Sequence, residues 1–221
     1  SLATFDQVTN TVNFLDSAIS IVGLATSATG TVLTLTDTHL DSTVSIRLPD
    51  ATSIADDSGN EYIKFAKTAS AVNEVSVTNN STGNNPIISA SGGDTNVSLE
   101  FTAKGTGKII FNNGGYFPEA TLTDGATIDW NMATESVSKV TLADNRTLNA
   151  PTNGSTGQFA SLLIIQDGTG TRTLTWNAVY EFTADTAPTL TATADYGDLF
   201  TFRYNGAKWL EVGRNLNLVL S

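Results

Sequence analysis

Apolar residues recur along this chain with two different periods. Near the start, Phe5, Val8, Val12, Leu15, Ile19 and Val22 follow each other at alternating spacings of three and four. That is the seam rhythm of a packed helix. Asp6, Gln7, Asn10, Asn13 and Asp16 fill the positions between them. The stripe predicts a short N-terminal helix stopped near Gly23, within a segment spanning residues 1–28. A stripe of this kind has to be buried. It serves either an intermolecular helix bundle or a helix docked on its own domain. Its Thr, Val and Asn content lowers helix propensity, so a non-helical arm is the third reading. In each case the six apolar residues are the candidate interface, and the segment is assigned to attachment or oligomerisation.

From residue 29 onward the period falls to two. Val32–Thr36, Val44–Leu48, Tyr62–Phe65, Val75–Thr78, Ile87–Ala90, Val97–Phe101 and Lys108–Phe111 read as short strands. Gly, Asn and Asp clusters separate them, as in Asn79–Pro86 and Lys104–Gly107, where turns with positive φ are accommodated. These strands are thinly apolar. One copy has little with which to build a core, so residues 29–115 are expected to form a trimeric, interdigitated β module. Residues 116–221 carry more aromatic side chains. Ile128, Trp130 and Met132 alternate, and Phe159–Ile165 reads as a central strand buried on both faces. Asn205-Gly206 between Leu199–Tyr204 and Trp209–Val212 is a strong hairpin signal. The expected architecture is a C-terminal antiparallel β-sandwich, jelly-roll-like, in a mainly β chain.

Composition narrows the partners. The 221 residues carry a net charge of -11, with a pI near 4.3 and only 11 basic residues. Phosphate binding requires Lys and Arg clusters, so nucleic acid is an unsuitable partner. Charged residues make up 15%, against about 25% in ordinary soluble domains. Polar coverage therefore comes from Thr, Ser, Asn and Gly. Cysteine is absent, which removes disulfides and thiolate metal sites. The longest apolar run, Leu162–Ile165, is far short of a membrane span, and no basic-then-apolar leader opens the chain. An opening at Ser1 reads as a processed chain.

Two stretches carry a family resemblance. The first runs through Ser58-Gly59-Asn60-Glu61-Tyr62-Ile63-Lys64-Phe65, Thr82-Gly83-Asn84-Asn85-Pro86 and Gly93-Asp94-Thr95-Asn96-Val97, and ends at Lys104-Gly105-Thr106-Gly107-Lys108-Ile109. It resembles a module of phage tail fibres and related structural proteins in which a "KGTGK" run closes a unit. The second contains Ala126-Thr127-Ile128-Asp129-Trp130, Asn145-Arg146-Thr147-Leu148 and Gln166-Asp167-Gly168-Thr169-Gly170-Thr171-Arg172-Thr173-Leu174-Thr175-Trp176. It is similar to a C-terminal β domain that recurs in phage structural proteins. The resemblance implies a bacteriophage virion component, usually a homotrimer, and it carries over no catalytic residue. The expected role is a non-enzymatic capsid decoration or head-fibre protein on the particle surface. It would attach by its N-terminal region and project a β-rich domain outward. The alternatives are a tail-associated receptor-binding fibre that recognises host surface glycan, and a glycan-cleaving tailspike. The expected partners are sister copies, capsid or tail proteins and host surface polysaccharide, with no nucleic acid and no membrane.

Residue-level chemistry adds little to this. Lys104-Gly105-Thr106-Gly107-Lys108 lacks the spacing, the Ser or Thr and the helix of a phosphate loop, and reads as a turn. His39 is the only histidine, and no nucleophile elbow accompanies it. Asp37, His39 and Asp41 alternate and would share one face of a strand. Three copies near a trimer axis would then offer imidazoles to a metal, while a polar strand edge explains the same pattern. Asp56, Ser58 and Asn60 resemble the opening of a calcium loop, but Gly59 is misplaced and no closing Glu follows. No cofactor is expected. Trp130, Trp176 and Trp209 lie in alternating strands, which favours core positions. Trp209, next to the hairpin turn, is the best candidate for stacking on a glycan.

Overall fold

The computed structural model describes residues 4–6, 11–13, 53–55 and 60–220. The chain divides into two units, Ser1–Glu100 and Phe101–Ser221. In the first unit, β1 (Thr4–Asp6) pairs antiparallel with β2 (Thr11–Asn13), placing Phe5 opposite Val12. At these two segments a strand pair replaces the expected helix. Thr, Phe, Val and Asn are poor helix formers, and Thr, Phe and Val suit strands. Val8, Leu15, Ile19 and Val22 lie outside the described residues, as does the Asp37, His39 and Asp41 alternation.

The other described strands of the first unit form separate hairpins. β3 (Ser53–Ala55) pairs with β4 (Glu61–Lys64), and β5 (Asn73–Thr78) pairs with β6 (Ile87–Gly92), both antiparallel. Asn73 donates to Asp94 Oδ2 at 2.7 Å, and Ser91 donates to Glu74 Oε1 at 2.9 Å. Tyr62, Ile63, Val75, Val77, Ile87 and Ile88 all remain exposed, Val77 to 75%. A lone two-stranded hairpin is only marginally stable in water.

Among the described residues the buried core lies in the second unit. Its strands are β7 (Ala120–Thr121), β8 (Thr127–Ile128), β9 (Val137–Leu142), β10 (Arg146–Leu148), β11 (Phe159–Gln166), β12 (Leu174–Trp176), β13 (Tyr180–Glu181), β14 (Tyr196–Tyr204) and β15 (Trp209–Val219). They form two sheets. One is three-stranded and wholly parallel, in the order β12-β10-β8. The other is six-stranded, in the order β13-β15-β14-β11-β9-β7.

Following the chain explains this order. β7 turns a corner into β8, β9 into β10, and β11 into β12, so successive turns stack as rungs. Ala120 pairs with Ser138 and Ser138 with Leu162 on one side; Ile128 pairs with Leu148 and Leu148 with Trp176 on the other. The hairpin β14–β15 then closes the stack, with β14 antiparallel to β11. The mainly β class stands, and two sheets do enclose one core. The antiparallel, jelly-roll-like strand order is corrected: the rungs are parallel because the chain winds on in one direction instead of reversing between neighbours.

The core follows the alternation of each strand. Ala160, Leu162, Ile164 and Gln166 point inward from β11, Val140 and Leu142 from β9, and Phe200 and Phe202 from β14. Ile128 and Leu148 meet them from the small sheet. Each buried Leu or Phe is worth roughly 1.5–3 kcal/mol. β11 is central, as expected, but its outer face is only partly covered: Leu163 and Ile165 are half-buried and Phe159 is exposed. One end of the core is aromatic. Trp176 packs edge-on to Tyr180, Phe182 and Phe200 at centroid distances of 5.4, 5.0 and 5.0 Å.

Three sequence motifs acquire a local reason. Asn205 N–H donates to the Lys208 carbonyl at 3.0 Å, and Gly206 takes φ +99°. This is the predicted Asn-Gly hairpin turn. In Asp167-Gly168-Thr169-Gly170, Gly170 is buried at φ +74°, and a Cβ there would lie 2.5 Å from the Ala192 carbonyl. Only glycine fits. The phosphate-loop mimic is likewise a turn, with Gly107 N–H donating to the Lys104 carbonyl at 3.0 Å and Gly105 at φ +61°.

Candidate functional site

The corners between rungs hold a column of charges. Asp124 follows β7, Asp144 follows β9 and Asp167 follows β11. Arg146 grips Asp124 with two bonds, Nε to Oδ1 at 2.8 Å and Nη2 to Oδ2 at 2.7 Å. Arg172 grips Asp167, with Nη2 to Oδ2 at 2.8 Å, and the Thr169 and Gly170 amides reach Asp167 Oδ1 at 3.0 and 2.9 Å. The Arg172 hydrogen bonds are the main cause holding the Asp167 carboxyl down at about 2, and those from Arg146 lower Asp124. The Asp124 and Asp167 carboxylates are each held by an arginine, which fits an architectural clamp. Gln166 extends the same logic inward. Its amide donates to the Arg172 carbonyl at 2.9 Å and accepts the Arg172 N–H at 2.7 Å, so a buried side chain mimics a strand partner.

A groove of about 320 Å³ runs along the first rung, lined by Thr121, Leu122, Thr123, Thr127, Asp129, Asn131, Glu135 and Thr152. It follows the outer edges of β7 and β8, the strands that end the two sheets. Its polar groups are partly tied down. Asn149 donates to Asp129 Oδ1 at 2.8 Å, the Asn131 N–H donates to Glu135 Oε2 at 3.0 Å, and Asn153 donates to Asn131 Oδ1 at 2.8 Å. The lining offers hydroxyls and carboxylates, which accept hydrogen bonds from sugars or from cationic groups, but no aromatic ring. Sequence reasoning missed this groove. Its residues look like ordinary outward strand positions until the rungs are stacked.

Trp130 and Trp209 take the core positions that their alternating strands favour, which removes Trp209 as a glycan contact. Trp209, the glycan candidate, is 2% exposed. It stacks on Tyr204 at 4.7 Å, and a Cβ on Gly154 would lie 2.7 Å from its ring. That assignment is corrected: the ring faces the core because β15 begins on its inward phase. Trp130 is also buried, its indole N–H shared between the Glu135 carbonyl and Ser138 Oγ at 2.5 and 3.1 Å. Trp176 is half-buried. Among the described residues no group of three or more His, Asp or Glu is gathered as for a metal, and no helix is long and apolar enough to cross a membrane.

Residues 116–209 match the model of a family described as "Putative phage tail fibre C-terminal domain". The match covers the rungs, both sheets' parallel strands and the start of β15. No curated protein matches the chain. The match supports a phage fibre-type, virion-associated structural protein.

Proposed function

We propose that the chain is a subunit of a non-enzymatic homotrimeric fibre on the surface of a phage particle. Its N-terminal region, including Phe5, Val8, Val12, Leu15, Ile19 and Val22, attaches to the particle, and its C-terminal unit projects outward. The family match over 116–209 carries the fibre reading. Its description as a tail-fibre domain supports a tail-associated fibre over the capsid-decoration or head-fibre role, and we take host surface polysaccharide as the receptor class of such a fibre. The trimer rests on a separate observation. Apolar side chains along 61–117 stand in water in a single chain, with Tyr116 at 86% and Phe111 at 80%. Large apolar side chains left exposed in this number within each unit call for a covering partner, and closing strands around a threefold axis removes their edges.

Antibody labelling of virions, viewed by electron microscopy, tests the location. Label at the tail tip or tail side is expected; label spread over the capsid would return the decoration reading. Sedimentation of the purified chain should give a trimer, and a folded monomer at micromolar concentration would overturn that part. Asp129 and Glu135 share one groove, so the non-enzymatic reading has a direct test. Host polysaccharide should keep its size distribution, and depolymerisation abolished by Asp129→Asn or Glu135→Gln would establish a glycan-cleaving spike instead.

A further inference from the structure

We infer that the open edge of the first rung is completed by the segment Lys104–Phe111 of a second copy of this chain. The inference rests on the trimer reading and adds to it the contact that would close the ring. Among the described residues β7 is bonded on one side only, to β9, and β8 on one side only, to β10. Their other sides border the groove holding Thr121, Thr127, Asp129 and Glu135. An unpaired edge of this kind is a template for strand addition.

The chain also contains an unused strand. Lys108-Ile109-Ile110-Phe111 has β-branched and aromatic residues suited to a sheet, and it was expected to be a strand. It belongs to none among the described residues, and Ile110 is 76% exposed. One chain thus leaves both an edge and a strand unsatisfied.

Chain length argues against the copy's own segment as a further parallel rung. The closest stacked partners along the large sheet are Ala120 and Ser138. Phe111 lies much nearer to Ala120 in sequence than that. A copy's own segment is therefore too short to travel round the stack and enter as a parallel rung above its own β7. A neighbour's segment has no such limit. The exchange is heterologous, with one donor and one acceptor per copy, and three such contacts related by a threefold rotation complete the trimer.

Charge favours the same pairing. The chain carries -11 overall with 11 basic residues, and copies repel one another on average. The segment brings Lys104 and Lys108, and the groove presents Asp129 and Glu135. Opposite charges across a contact fix partner and register.

Because the natural sequence has no cysteine, paired cysteines test the contact in the full chain. Ile110→Cys and Thr121→Cys both fall at exposed positions. Unchanged tryptophan fluorescence checks that the fold is kept. Two chains, each carrying one of these changes, are refolded together and mildly oxidised. A mixed disulfide-linked dimer is expected, and the double variant should give a ladder ending at covalent trimer. Lys108→Glu should lower the yield, and Asp129→Lys in the same chain should restore it. A trimer by sedimentation that forms no mixed dimer would overturn the inference and leave the trimer standing. An internally linked monomer from the double variant would show that each chain fills its own edge. A monomeric natural chain would remove the trimer as well.

Discussion

Asp198 offers the sharpest test of how the C-terminal unit is held together. It is 2% exposed, and a buried carboxylate is tolerated only when its oxygens are satisfied. Here Oδ2 accepts the Thr191 N–H at 2.7 Å, and Oδ1 accepts the Thr191 hydroxyl at 2.7 Å and the Asn217 N–H at 2.9 Å. The register of β14 against β15 shifts beside it, and Asn217 takes φ +62°. One carboxylate therefore pins the segment before β14 and the end of β15 at an irregular point in the sheet. Asp198→Ala removes all three acceptor contacts. Asn217 keeps a bond to Thr191 Oγ1 at 3.0 Å, so the Thr191 N–H and the Thr191 hydroxyl are the groups left without an acceptor. Hydrogen bonds to a charged group are worth about 1.5–3 kcal/mol each. After allowing for relief of the carboxylate's desolvation, the net loss is about 3 kcal/mol, with a fall in Tm on the order of 10 °C for a unit of this size. Asp198→Asn keeps one oxygen but turns an amide toward the Thr191 N–H, and should fall between Ala and the natural residue. All three tryptophans lie in this unit, so fluorescence during urea unfolding of the full chain reports on it directly. Hydrogen exchange should also lose protection at Thr191 and Asn217. If Asp198→Ala melts within about 0.5 kcal/mol of the natural protein, the range of an inert surface change, the pinning role is wrong.

Trp209→Ala should cost about 3–5 kcal/mol, as for other large-to-small core changes; an unchanged melt with a selective loss of polysaccharide binding would reinstate it as a glycan contact. Acid should weaken the rung corners. The Asp167 carboxyl is lowered from 3.8 to about 2 in the folded chain, so between those values the unfolded chain binds more protons. The stabilisation is then complete above about pH 4 and is lost as pH falls toward 2. Asp167→Asn should flatten that part of a Tm-against-pH curve, and a parallel curve would refute the clamp. A fragment of residues 116–221 should melt cooperatively, and a disordered NMR spectrum would show that its core is completed elsewhere.

Much of the strand content could be read from alternation alone. Val75–Thr78, Ile87–Ala90, Leu199–Tyr204 and the Asn205-Gly206 turn stand where period and turn chemistry place them. Strand direction could not be read this way. Parallel rungs announce themselves in sequence when stacked residues repeat at a constant offset. Here Ala120 stacks on Ser138 and Ser138 on Leu162, while Ile128 stacks on Leu148 and Leu148 on Trp176, and these offsets differ from turn to turn. The loops absorb the difference, as in the Asp167–Arg172 corner. With no repeat visible, a hairpin signal at one end drew the whole unit toward an antiparallel reading.

The site was less legible for a related reason. Alternation tells which residues share a face but not which face is inward, and one residue of phase decides it. β15 starts inward, so Trp209 packs on Tyr204 and over Gly154 instead of facing a sugar. Thr121 and Thr127 are ordinary outward residues on separate short strands, and Asp129 follows the second. They become a groove only because β7 and β8 are the last rungs of two sheets that end side by side. Thinness of the apolar pattern, by contrast, was readable and physically meaningful. Ile109, Ile110 and Phe111 have strand character, yet all three stand at least half exposed in a single chain. A run with that composition pays its ordering entropy only when it finds an edge, and the first rung presents one.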